Sequence, residues 1–134
     1  MVNISSEVRK GADVTANKRG DLTSLHCAAL RGHAGAAAFL IENSARVNGT
    51  ENSGFTPLYF TAAGGHEIAS RFLLEKAADV NVKNGYGRTP LHIACDRGHA
   101  AVVGLLLDEG AELTVRDRGL LIFELLVSAD LGPL

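Results

Sequence analysis

Residues 88–113 read RTPLHIACDRGHAAVVGLLLDEGAEL, with two histidines, a cysteine and several carboxylates in close succession. Taken alone, that density of reactive side chains invites a metal or catalytic reading. The rest of the chain decides against it. Residues 54–80, GFTPLYFTAAGGHEIASRFLLEKAADV, and residues 22–47, LTSLHCAALRGHAGAAAFLIENSARV, are variants of the same text. Thr23, Thr56 and Thr89 stand 33 residues apart, as do Leu25, Leu58 and Leu91, then Gly32, Gly65 and Gly98, then His33, His66 and His99. Self-similarity at a fixed period marks a stack of one repeated supersecondary unit.

Each position of the repeat has a physical reading. The Thr89 hydroxyl caps an orphan backbone N–H, and Pro90 at the first helical position gives up a donor that had no partner. Leu91, Ile93, Ala94 and Cys95 then face inward along about two turns of helix. Gly98 ends that helix, because glycine accepts the left-handed conformation at a C-terminus. A second helix is predicted over Ala100 to Asp108, with Val102, Val103, Leu105, Leu106 and Leu107 as its apolar stripe, and Gly110 stops it. Glu112 to Gly119 reads as an exposed turn. Neither helix is long enough to persist alone, so stacking must supply the core.

The T-P-L-H-x-A signature at a 33-residue period resembles the ankyrin repeat. Thr89-Pro90-Leu91-His92-Ile93-Ala94 matches it in full, Thr56-Pro57-Leu58-Tyr59-Phe60-Thr61 departs at Tyr59 and Thr61, and Thr23-Ser24-Leu25-His26-Cys27-Ala28 lacks the proline. The resemblance implies an all-α fold, an α-solenoid of helix-turn-helix units with hairpin-like turns. Three full units are expected at 21–53, 54–86 and 87–119. A partial unit precedes them at 1–20, and a degenerate capping segment follows at 120–134.

Bulk composition agrees with a helical stack. The 134 residues are 46% hydrophobic and 21% charged but only 5% aromatic, so the core material is chiefly small and aliphatic. A net charge of −2 gives no global pull toward nucleic acid or acidic membranes, and binding to nucleic acid is not expected. The longest apolar runs, AGAAAFLI and AAVVGLLL, fall far short of the roughly 20 residues that span a bilayer. With two cysteines and no leader visible, an intracellular setting, cytoplasmic or nuclear, is expected.

The histidines recur at the repeat period, so a structural role in each unit accounts for them. His26 and His92 can hydrogen-bond back to the capping threonine, while His33, His66 and His99 lie between helices. Equivalent places in a linear stack are ~10 Å apart, which does not converge ligands on a metal. Cys27 and Cys95 read as small inward residues of different units, too far apart for a disulfide. Gly64-Gly65 and Asn84-Gly85-Tyr86-Gly87 fall on turns and lack the strand-to-helix setting of a nucleotide loop. No enzyme activity, cofactor or metal is expected.

What remains is surface. In ankyrin-repeat proteins, partners usually dock on the concave side, formed by the finger tips and the exposed face of each first helix. Carried over by position, this implies Arg19, Leu22, Leu30 and Arg31 in the first unit. The second unit contributes Asn52, Ser53 and Phe55, and the third Tyr86, Arg88, Asp96 and Arg97. With Lys18 and Lys83, this strip holds six basic residues against Asp21, Glu51 and Asp96. The expected partner is a protein or peptide of acidic character. The alternatives are a piece of a larger enzyme or signalling protein, or a nucleic-acid binder using the arginine strip. Leu74 to Asn81 also resembles the segment that asparaginyl hydroxylases modify in ankyrin-repeat substrates, with Asn81 at the modified place. The other reading is that the Asn81 side chain stabilises its turn. In the segment 120–134, Leu120, Leu121, Ile122, Phe123, Leu125, Leu126 and Val127 are too many to bury against one neighbour. This segment is expected to seek a partner, a further unit or a second copy of the chain.

Overall fold

A computed structural model describes residues 22–112, and among them six helices stack in pairs. The first unit contributes α1 (Ser24–Leu30) and α2 (Ala34–Glu42), the second α3 (Pro57–Gly64) and α4 (Glu67–Glu75), the third α5 (Pro90–Asp96) and α6 (Ala100–Asp108). No strand occurs among the described residues. Helices α1, α3 and α5 form one row and α2, α4 and α6 a second, each packing on its own partner and on its equivalents in adjacent units.

Local chemistry sets each start. Thr23, Thr56 and Thr89 accept from the backbone N–H of His26, Tyr59 and His92 at 3.2, 3.3 and 3.3 Å. In the first and third units the imidazole answers. Thr23 N–H donates to His26 Nδ1 at 3.2 Å and Thr89 N–H to His92 Nδ1 at 3.0 Å, completing a capping box with histidine in place of the usual glutamate. Tyr59 has no Nδ1 to offer, and its ring instead stacks on Phe55 with centroids 4.8 Å apart.

The helix ends are equally periodic. Gly32, Gly65 and Gly98 take φ of 71°, 68° and 70°, the left-handed conformation expected of glycine there. A side chain would also have no room: a Cβ on Gly65 would fall 2.6 Å from His99 Nδ1. The second helices need the same conformation at Ser44, Ala77 and Gly110, with φ of 76°, 70° and 89°. Only Gly110 suits it without strain.

The core is a row of leucines. Leu25, Leu58 and Leu91 from the first helices, with Leu40, Leu73 and Leu106 from the second, are fully buried. The inward set expected of α5 is found: Leu91, Ile93, Ala94 and Cys95 are all buried. Cys27 is a correction, because it is exposed. Its equivalents are Phe60 and Ile93, whereas Cys95 is equivalent to Ala29. Phe60 lies edge-on to His26 of the preceding unit at 5.8 Å, so this position points across to a preceding neighbour. Among the described residues no unit precedes Cys27. In the second unit two hydroxyls enter the core where the neighbours carry alanine or valine. Ser70 Oγ donates to Thr61 Oγ1 at 2.9 Å and Thr61 donates to the Leu58 carbonyl at 3.0 Å, so both burials are satisfied.

Contacts between units are also polar. His66 Nε2 donates to the Leu30 carbonyl and His99 Nε2 to the Ala63 carbonyl, both at 3.1 Å, each reaching the end of the preceding first helix. His26 Nε2 donates forward to the Phe55 carbonyl at 2.9 Å. With Nδ1 accepting and Nε2 donating, His26 is the neutral Nε2–H tautomer. Burial lowers its pKa below 6.5, more than hydrogen bonds to the Phe55 and Gly49 backbone and the charge of Glu51 raise it.

Two expectations follow from these geometries. Ser44→Gly and Ala77→Gly should each raise unfolding free energy in urea by about 1 kcal/mol, and Gly110→Ala should lower it similarly. The second concerns pH. As pH drops through about 6.5, the unfolded chain binds a proton at His26 that the folded chain does not, so stability falls with pH in that window. A His26→Gln variant loses this term. Its deficit in melting temperature against the wild type should therefore shrink between pH 7 and pH 5.

Candidate functional site: the finger and first-helix face

Between units the chain forms short fingers, and two are described. In the second, Glu51 Oε1 accepts from the N–H groups of Ser53 and Phe55 at 2.7 and 2.9 Å. In the third, Asn84 Oδ1 does the same for Tyr86 and Arg88 at 2.8 and 3.1 Å. The fingers then join: Gly85 N–H donates to the Ser53 carbonyl at 2.6 Å. A brace inside each finger and a bond between fingers hold this edge of the stack in register.

That register assembles an aromatic cluster. The chain has five phenylalanines and two tyrosines, and four of these seven rings meet here. Phe55 stacks on Tyr59 at 4.8 Å and on Tyr86 at 6.2 Å, and Phe60 lies 5.5 Å from Phe55. Tyr59 is buried and Phe55 half-buried, while Tyr86 stands 72% exposed at the finger tip. Leu22 and Leu30 are exposed on the same finger and first-helix positions of the first unit, as is Asn52 on the second finger. Ser53 is half-buried. Arg19 lies outside the described residues, as do Lys18, Asp21 and the segment 120–134.

The arginine strip is less uniformly basic than its composition implies. Arg88 forms an ion pair with Asp96, both partly buried. Arg97 leans toward the second unit and donates from Nη1 to the Ala63 carbonyl at 3.1 Å. Arg31 is exposed and belongs to neither ion pair formed among the described residues. Lys83 is also exposed. These charges are therefore of two kinds: one neutralised within the fold, the others open to a partner.

The third finger carries a defect at its root. Asn84 Nδ2 and Arg88 Nε are both buried without an acceptor, and a buried orphan donor costs about 1–3 kcal/mol. Glu51, in the equivalent place, makes the same two backbone contacts with a carboxylate and has no donor to orphan. Asn84→Asp should therefore stabilise the protein by about 1 kcal/mol, measured as a raised urea midpoint with an unchanged slope.

In the turns that follow the second helices, two asparagines form a second ladder, with Asn81 in the turn-stabilising role that is one of its two expected readings. Asn48 Nδ2 donates to the Ala77 carbonyl at 3.2 Å and Asn48 Oδ1 accepts from Asp79 N–H at 2.8 Å. Asn81 repeats this one unit on, donating to the Gly110 carbonyl at 3.5 Å and accepting from Glu112 N–H at 3.0 Å. Asn81 N–H also receives support within its own turn, from Asp79 Oδ1 at 2.9 Å. The signal was the 33-residue spacing of Asn48 and Asn81. Its meaning requires knowing that the two turns are adjacent in space.

No cluster of three or more metal-ligating side chains occurs among the described residues, and none of their helices is long and apolar enough to cross a membrane. Comparison with curated proteins gives no match. A family profile described as ankyrin repeats, in three copies, matches residues 3–84 and 25–117. It covers most of the chain, and the paired helices, the threonine caps and the 33-residue register agree with it. The chain belongs to the ankyrin repeat family.

Proposed function

We propose that the chain is a non-enzymatic protein-interaction module, a scaffold or adaptor that binds its partner through the concave face of fingers and first helices. Ankyrin repeats are generally protein–protein interaction modules. The observation that carries the reading here is where exposed apolar area collects. Four large hydrophobic side chains are exposed among the described residues, and three of them, Leu22, Leu30 and Tyr86, lie on this face. The fourth, Ile68, stands alone on α4. Apolar side chains gathered beside unpaired cations make a surface suited to burial by a partner. Arg31, Lys83 and the exposed Arg97 give the partner an acidic complement. The outer helices and turns carry Glu42, Glu67, Glu75, Asp79, Asp108, Glu109 and Glu112 against Arg46, Arg71 and Lys76, and would repel it. The ion pair of Arg88 with Asp96 weakens the same strip as a track for phosphates, which favours protein over nucleic acid.

The test uses the intact chain as bait, with captured proteins quantified by mass spectrometry. Tyr86→Ala combined with Arg31→Ala should reduce specific capture by about tenfold or more. Ile68→Ala combined with Arg71→Ala, on the outer face, should leave it unchanged. Equal capture by both double variants would remove this face from consideration.

A further inference from the structure

The binding face is not uniform from one unit to the next. In the third unit Arg88, at the foot of the finger, meets Asp96, at the end of α5, in an ion pair. The same two repeat positions hold Phe55 and Ala63 in the second unit and Leu22 and Leu30 in the first. Along the stack this pair of positions thus changes from apolar and exposed to charged and internally neutralised. Leu22 is 52% and Leu30 53% exposed, while Phe55 is half-buried in the aromatic cluster. The cations differ in the same sense. Arg97 spends a donor on the Ala63 carbonyl, and its equivalent Arg31, directly after Leu30, is exposed with no ion pair among the described residues.

Resting on the protein-binding reading above, we infer that the face anchors an acidic peptide segment at its first unit. An aliphatic or aromatic side chain of that segment sits against Leu22, Leu30 and Phe55, and a neighbouring carboxylate sits on Arg31. A carboxylate placed at the equivalent Arg88 position of the third unit instead meets Asp96, which already occupies Arg88 and repels a second negative charge. A carboxylate on Arg31 displaces no internal partner and gains charge-assisted hydrogen bonds. The apolar side chain gains at the same end, because only there do both leucines lose exposed surface. The foot of the third finger then takes main chain and neutral polar groups, with Tyr86 as a flat amphipathic platform, while the exposed Lys83 and Arg97 add a general positive field beside it. Units stacked ~10 Å apart place the first and third contacts ~20 Å apart, about six residues of extended chain.

The experiment selects peptides of about 12 residues, displayed as a random library, on the full-length chain, since that length exceeds the span between the outer units. Enriched peptides are then synthesised and their affinities measured by fluorescence anisotropy. The expected result is enrichment of sequences carrying Asp or Glu within two positions of Leu, Ile or Phe. Leu30→Asp and Arg31→Glu should each weaken them by roughly tenfold or more, and a peptide with its carboxylate changed to Lys should regain affinity for Arg31→Glu. Leu30 and Arg31 are exposed, and an unchanged helical circular dichroism signal verifies that each variant folds. Should Leu30→Asp not fold, the charge swap at Arg31 decides alone. Peptides that lack a carboxylate, or that respond to Tyr86→Ala but to neither first-unit substitution, would overturn the first-unit anchor and leave the binding face standing. Failure to enrich any peptide, or binding indifferent to all three substitutions, would overturn the face and the inference together. Single-stranded RNA that binds with the same Arg31 dependence, where no peptide does, would assign the face to nucleic acid and overturn both.

Discussion

Helices of seven to nine residues do not persist in water, because so few hydrogen bonds cannot offset the cost of nucleation. Every other feature of this protein answers that constraint. Leu25, Leu58 and Leu91 are buried only because an adjacent helix covers each of them, and the same holds for Leu40, Leu73 and Leu106. The unit of stability is therefore the contact between neighbours rather than the helix or the repeat.

Apolar stacking is non-directional, so it does not set the register of one unit on the next. Polar bridges supply that. The imidazoles of His66 and His99 reach back to carbonyls at the ends of preceding first helices, and the amides of Asn48 and Asn81 reach forward to the next turn. The fingers are tied by the Gly85 to Ser53 bond. The histidine and asparagine bridges each recur from one unit to the next and leave little freedom for sliding. Where the repeat is broken, the substitution comes with a local remedy. Tyr59 gives up the capping imidazole and gains stacking on Phe55, and Thr61 enters the core together with Ser70. Ser44 and Ala77 have no such remedy and hold a conformation that suits glycine.

The finger and first-helix face is where the units cease to be alike. Most buried positions repeat because they must satisfy their neighbours, whereas the positions at the finger foot and at the first-helix end diverge from unit to unit. Leu22, Phe55 and Arg88 occupy one repeat position with three chemistries, and Leu30, Ala63 and Asp96 another. A repeated scaffold displaying a non-repeating surface offers a partner different chemistry at each unit, which a uniform surface does not.

The sequence by itself determined the period, the threonine caps, the glycine stops, the helix spans of the third unit and the leucine core. All of these follow from short-range rules that act within one unit and are written three times over. Through the family resemblance and the register it also suggested which positions make up the finger and first-helix face. Only the tertiary structure decided which of those side chains are free. Arg88 is paired with Asp96 eight residues away, Arg97 is turned toward Ala63 of another unit, and Tyr86 leans on Phe55 across two fingers. The same holds for Cys27, whose exposure depends on what lies before it in the stack and not on its own helix. Local periodicity says which way a side chain leaves the backbone; whether another group meets it there depends on the neighbouring unit, and that distance is not written in spacing.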